Sequence, residues 1–341
     1  MTINFKNVYV NDVSTVAGPF VIEGPLHGKF DKEYEDFYDG EKTFELCEMK
    51  ELEECIKILL NKTNKNISDI NCMLSADLMN QVTTSNYVAS KFDIPYLGLY
   101  NACASMCENI LIASSLIDSN KLKNAMCTTS SHNMTAERQY RNPVEYGAPK
   151  PKTTTFTVSG ATSILLQKEK TTIKVESATI GNVIDMGVKD VTHMGSVMTP
   201  SAAFTLNKHL KDTNRSMDYY DLILTGDLGV YGKEIFKDYC KQEYGLNILD
   251  NYDDSATRIY NMENDDVYAG GSGPSCLPLV VYSDIIPKMK NKELKKVLLI
   301  ATGALMSPTT FNQKMSIPSV SHAISLEVVE WYIYIRFYSQ D

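Results

Sequence analysis

The sequence predicts a duplicated α/β fold, and three pairs of matched stretches carry that prediction. Asp69-Ile70-Asn71-Cys72-Met73-Leu74-Ser75-Ala76-Asp77-Leu78 is answered by Tyr220-Asp221-Leu222-Ile223-Leu224-Thr225-Gly226-Asp227-Leu228, two strand-like runs that both close on Asp-Leu. Tyr100-Asn101-Ala102-Cys103, which leads from an extended run into an apolar helical one, is answered by Tyr268-Ala269-Gly270-Gly271-Ser272-Gly273-Pro274 and the apolar stretch behind it. Residues 121–130 are answered by 292–303. Two facing copies of one unit would bring Cys103, Asp77, Asp227 and the 270–273 loop toward one central site, because each lies at the equivalent end of its own half.

Taken in order, residues 1–45 read as irregular. They hold short extended pieces at 8–10 and 20–22, several Gly and Pro, and an acidic stretch over 31–39, which together predict a surface loop or lid. Apolar residues at helical spacing (Met49, Leu52, Cys55, Ile56, Leu59, Leu60) predict a helix over 47–60, and 70–75 reads as a buried strand. Polar residues close that strand at its carboxyl end, where α/β folds hold ligands. A helix over 83–91, a strand over 94–99, a long helix from Cys103 and a strand over 124–129 follow. Residues 155–166 predict a hairpin turning at Gly160. The halves are expected to span 1–170 and 171–327. The tail, 328–341, is rich in aromatic residues and too short to cross a bilayer, so it reads as a packed strand or as an interfacial anchor.

Composition excludes several classes of function. A formal charge of −9 without a Lys/Arg cluster argues against a nucleic-acid partner. No apolar run reaches the roughly 20 residues needed to span a membrane. Eight cysteines in 341 residues, with no secretory leader at Met1-Thr2-Ile3-Asn4, read as reduced cytosolic thiols. No His or Cys pair stands at zinc spacing near Cys103 and Cys107, so no metal site is expected.

Cys103 sits where strand turns to helix. The unpaired amides and positive dipole end of that helix favour a thiolate or a bound anion, so the elbow suits either a nucleophile or an anion site. The bland alternative is a small residue packed under the turn. Asp77 and Asp227 are ligand groups or strand-end caps. His132 closes the 124–129 strand on the site side or is a hydrogen-bonded structural residue. Arg138 offers charge-assisted bonds or pairs with a neighbouring acid.

This arrangement, a duplicated α/β unit with a cysteine at the first elbow, resembles the thiolase and ketoacyl synthase superfamily. More narrowly, Gly98-Leu99-Tyr100-Asn101-Ala102-Cys103, Ser131-His132-Asn133, Thr135-Ala136-Glu137-Arg138-Gln139, Tyr146-Gly147-Ala148, Leu224-Thr225-Gly226-Asp227-Leu228-Gly229, Ala269-Gly270-Gly271-Ser272-Gly273 and His322-Ala323 look like the stage V sporulation protein AD family. The resemblance implies a layered α-β-α-β-α fold with two pseudo-symmetric mixed sheets.

A condensing enzyme of the superfamily would aim a His and an Asn at the cysteine. Those positions here are Gly226, or its neighbour Asp227, and Gly271. Without such partners the resemblance implies a pseudoenzyme in which Cys103 is a vestigial nucleophile. The implied ligand is dipicolinic acid, pyridine-2,6-dicarboxylate, alone or as its calcium chelate, crossing the inner membrane of the forming spore with membrane proteins of the same stage V channel. Cys103, Asp77, Asn101, His132, Arg138, Asp227, Gly226, Gly271 and Ser272 are the expected ligand contacts, with no resident cofactor. The competing expectation is a thioester-using condensing enzyme with an unusual base, His132 or His193. Thiolase-like folds usually pair as dimers, an implication of the resemblance alone.

Overall fold

The computed structural model describes residues 1–140 and 150–329. Tyr146, Gly147 and Ala148, and the aromatic tail from residue 330, lie outside the described residues.

The first half contains strands β1 (Tyr9–Ala17), β2 (Met73–Ala76), β3 (Tyr96–Gly98), β4 (Asn124–Ser131) and β5 (Gly160–Gln167). Its helices are α1 (Phe44–Thr63), α2 (Thr83–Ala89), α3 (Ser105–Asp118) and α4 (Asn133–Tyr140). The second half begins at β6 (Ile173–Thr179) and continues with α5 (Met194–Thr213), β7 (Leu222–Thr225), α6 (Gly229–Tyr244) and β8 (Tyr252–Asp254). A helix α7 (Cys276–Val280) runs on through a wide turn into Ile286–Lys290, and β9 (Lys296–Ala304) and β10 (Ser319–Val328) complete the chain.

The strands are ordered β8-β7-β9-β10-β6-β1-β5-β4-β2-β3. Read outward from the centre, β6-β10-β9-β7-β8 repeats β1-β5-β4-β2-β3, so the duplication seen in the sequence is a duplication of topology. The two expected sheets are the halves of one continuous sheet, joined where Tyr9 and Val10 of β1 pair with Lys174 and Ile173 of β6. The short turn between β5 and β6 separates the halves.

Helices fill the layers as the apolar patterns require. Along α1, Cys47, Glu48, Glu51, Leu52, Cys55, Ile56 and Leu59 are buried at three- and four-residue spacing, one face of the helix. The Thr43 side chain caps its start by accepting from the Leu46 amide, and Asn64 ends it in the left-handed conformation. Helices α1 and α2 cover the outer side of the first half through Leu52, Ile56, Leu59 and Val88, while α5 and α6 cover the second through Leu206, Leu210 and Phe236. Between them, α3 and the α7 segment share a central core built on Met106, Ile110, Leu279 and Ile285. Five layers result, α-β-α-β-α.

Two expectations need correction. The start of the chain is not a lid: β1 is a nine-residue central strand. Ser14 and Thr15 broke the apolar pattern that would have announced it. Both are buried and satisfied, Ser14 by donating to the Cys55 carbonyl at 2.8 Å and Thr15 by the Asp31 carboxylate on its amide at 2.9 Å. Nor do residues 155–166 form a hairpin. Phe156–Thr157 pairs in parallel with Gly271–Ser272, tying the loop before β5 to the loop before α7, and β5 pairs with β1 and β4 instead.

Candidate functional site

A small cavity opens where the two elbows face one another. Its floor is the Ala102–Ala104 turn that precedes α3, so Cys103 lies just ahead of the helix start and stays partly exposed. Ala102 takes a left-handed backbone conformation, φ 48°, unusual for a residue with a side chain. This bends the chain so that the Cys103 sulfur lines the cavity. Asn101, one residue earlier, turns away: its amide lies 2.8 Å from His322 Nε2, and His322 Nδ1 accepts the Gly181 amide at 3.1 Å. Burial holds His322 neutral, down to about 4. Asn101 and His322 thus splint the elbow from below.

Asp227 faces Cys103 from the second half. It stands two residues past β7, fully buried, and accepts hydrogen bonds from the Cys103 thiol, the Thr302 hydroxyl (2.5 Å) and the Gly273 amide (3.2 Å). Burial raises its carboxyl to about 7, against those three bonds, and the nearby Asp254 charge adds to the rise. Ser272 and Gly273 form the adjoining wall. The rest is largely apolar: Leu78, Ala136, Met194, Met198, Ala304 and Met306, with Tyr100 and Tyr140 sharing a 2.7 Å bond between their hydroxyls. No Lys, Arg or His is among the described lining residues.

Of the residues singled out in the sequence, Cys103, Asp227 and Ser272 meet at the cavity, and the others are engaged elsewhere. Asp77 accepts the Met79 and Ser85 amides, both at 2.8 Å, and so closes the turn from β2 into α2. Asp254, not Asp227, does the matching work in the second half, holding the amides of Leu228, Gly229 and Ala256. The repeated Asp-Leu therefore conceals a division of labour. His132 is buried between the Phe37 and Phe44 rings and bonded to the Phe37 carbonyl at 3.0 Å. Arg138 pairs with Glu45 at 2.8 Å on the surface, not with an acid near it in sequence.

Gly226 and Gly271 do not point into the cavity. A Cβ on Gly226 would sit 2.8 Å from the Thr302 hydroxyl, and one on Gly271 would sit 2.5 Å from Ile259. Both positions are filled by the neighbouring packing. It is Asp227, not Gly226, that stands opposite the sulfur. His193 accepts the Ser196 amide at the start of α5 and does not line the cavity.

Sequence reasoning missed Tyr140, Met194, Met198, Thr155 and Thr157 as lining residues. The methionine pair, four apart at the start of a helix, was a readable signal of a shared face. Thr155 and Thr157 were hidden by the hairpin reading.

A family model described as Stage V sporulation protein AD matches residues 1–327. Stage V sporulation protein AD of Bacillus subtilis (strain 168) is 42% identical over 320 residues, 94% of each chain. Among solved structures, OleA of Xanthomonas campestris aligns with a TM-score of 0.59 at 12% identity, covering 95% of this chain and 99% of that one. The 3-oxoacyl-[acyl-carrier-protein] synthase III of Aquifex aeolicus VF5 aligns at 0.57 and 11% identity, covering 94% and 99%. At such identities these two show a shared thiolase-like fold.

Proposed function

The chain belongs to the stage V sporulation protein AD family, and from that premise we propose that its elbow cavity is a non-catalytic binding site for dipicolinic acid, taken as the calcium chelate. On this reading it hands the chelate to membrane partners at the inner membrane of the developing spore. No helix among the described residues is long and apolar enough to cross a membrane, so the membrane step falls to those partners.

The observation that carries the reading is the mismatch between the cavity and a bare dianion. Among the described residues its lining offers a buried carboxyl and no cationic side chain, an unfavourable place for two uncompensated negative charges. A one-to-one calcium chelate is neutral as a whole. Its metal retains open positions for oxygen ligands, which Asp227, hydroxyls and water can supply. The ring finds suitable surroundings in the methionines, whose sulfurs favour aromatic contacts, and in Tyr100 and Tyr140.

The test is calorimetric titration with calcium dipicolinate and with dipicolinate in chelator. Saturable binding of the chelate, weakened at least about tenfold in Asp227→Asn and in Met198→Glu, is the expected result. Equal binding by the wild type and both variants would refute it.

One observation favours a second reading, acyl transfer from a thioester. A carboxyl that ionises at about 7 and touches the Cys103 thiol has the pKa of a general base. In that case Asp227 would take the thiol proton, sulfur would attack the thioester carbonyl, and the thiol leaving group would depart. Intact mass spectrometry after incubation with acyl thioesters separates the two: an acyl adduct on Cys103, absent in Cys103→Ala, supports the enzyme and removes the carrier.

A further inference from the structure

Behind the wall of the cavity, three side chains that the elbow does not use converge. Cys47 and Glu51 lie one turn apart on α1, and His132 stands at the end of β4. The thiol sulfur, a carboxylate oxygen and a ring nitrogen lie within 4.8 Å of one another. All three residues are shut off from solvent. Cys47 Sγ is 3.8 Å from Glu51 Oε1, while Glu51 Oε2 has no hydrogen-bond partner among the described residues. A buried carboxyl oxygen left without a partner is costly, and it calls for an explanation.

We infer that Cys47, Glu51 and His132 form a binding site for a divalent transition-metal ion, zinc by donor set, that pins α1 to the junction of β4 and α4. The donor chemistry decides the ion. Thiolate, imidazole and carboxylate together suit zinc, whereas calcium takes six to eight oxygens. Charge balance favours the filled site: the ion displaces the thiol and carboxyl protons to solvent, and thiolate plus carboxylate cancel its two positive charges. A buried neutral cluster avoids the desolvation cost that any one of these charges would carry alone.

The surroundings are arranged to support it. Nε2 of His132 donates to the Phe37 carbonyl at 3.0 Å, the kind of outer contact that sets the tautomer of a metal-bound imidazole, and Nδ1, which accepts the Met134 amide at 3.3 Å, is the nitrogen that would exchange that bond for the ion. Glu48, beside Cys47, is already committed to the Ser130 and Thr135 hydroxyls, each at 2.9 Å. Asp39 is held by Lys50 at 2.6 Å. The expectation of no metal came from sequence spacing around Cys103. This cluster joins residues that are remote in the chain, so spacing could not reveal it. It also touches function, because α4 begins at Asn133 and presents Ala136 and Tyr140 to the cavity.

The experiment uses the full chain purified from zinc- or cobalt-supplemented medium and passed over a desalting column with a weak chelator. One metal ion retained per chain, with a thiolate-to-cobalt charge-transfer band in the cobalt protein, is the expected outcome. The band should persist in Cys103→Ser and vanish in Cys47→Ser, and His132→Ala should lose the metal. No retained metal, or a band that survives Cys47→Ser, overturns the inference. Should a variant fail to fold, the wild type still decides, since cobalt retained without the charge-transfer band also overturns it.

Discussion

At the scale of single residues, Asp227 joins the cavity's chemistry to the chain's stability. Its carboxyl ionises at about 7 in the fold and at 3.8 ordinarily. Between those limits the folded chain holds a proton that the unfolded chain has released. The stabilising contribution is therefore complete below about pH 4, falls as pH rises, and is gone above about 7. At about 1.4 kcal/mol per pH unit the penalty at high pH approaches about 4 kcal/mol. Urea unfolding of Asp227→Asn should show a gain over the wild type at pH 8 and little at pH 4. A gain of the same size at both would contradict the account. The same titration separates the two forms of the ligand. Binding of calcium dipicolinate should strengthen as pH rises through about 7, because ionised Asp227 is the better calcium ligand. Binding of a bare dianion would weaken over that interval.

Among the elements, the elbow before α3 carries backbone strain at Ala102. Ala102 is held in the left-handed region, at a cost of about 1–2 kcal/mol for a residue with a Cβ. The splint of Asn101, His322 and Gly181 keeps it there. Ala102→Gly should raise stability by up to about 1 kcal/mol, the relief of strain being partly offset by the greater freedom of the unfolded chain. A shift of the urea midpoint to higher concentration is the measurement, and a lowered midpoint would dismiss strain as the cause. At the β2–α2 turn, where Gln81 and Val82 are left-handed too, Asp77 holds the Met79 and Ser85 amides and does not line the cavity.

For the whole molecule, the continuous sheet has one edge in β3, where Leu97 is exposed and the neighbouring Tyr87 and Tyr100 are exposed as well. An apolar sheet edge invites pairing with another strand, and a second copy of β3 can supply it. Light scattering at micromolar concentration is expected to report a dimer, and Leu97→Lys a monomer. A monomeric wild type would leave the edge to some other covering.

Much of this architecture was legible before any coordinates. Matched runs at 69–78 and 220–228, and at 121–130 and 292–303, identified the duplication, because both copies must bury the same strand faces. Helix α1 was visible from its apolar spacing, and Cys103 from its position between an extended run and a helical one. β1 escaped notice because Ser14 and Thr15 are buried with their partners, and those partners, Cys55 and Asp31, come from other segments. Local pattern records what a segment prefers to bury. It does not record which distant group will satisfy a polar atom once buried.

The division between sequence and tertiary structure falls on that same line. The amino-acid order by itself determined the family, the duplicated α/β topology and the placing of a cysteine at the elbow. Only the tertiary structure decided that Asp227 faces the sulfur while its sequence twin Asp77 closes a turn. The same is true of His132, which leaves the cavity and joins Cys47 and Glu51. The physical reason is that a repeat specifies backbone paths, whereas the partner of each buried charge is set by what the opposing half brings within hydrogen-bonding distance.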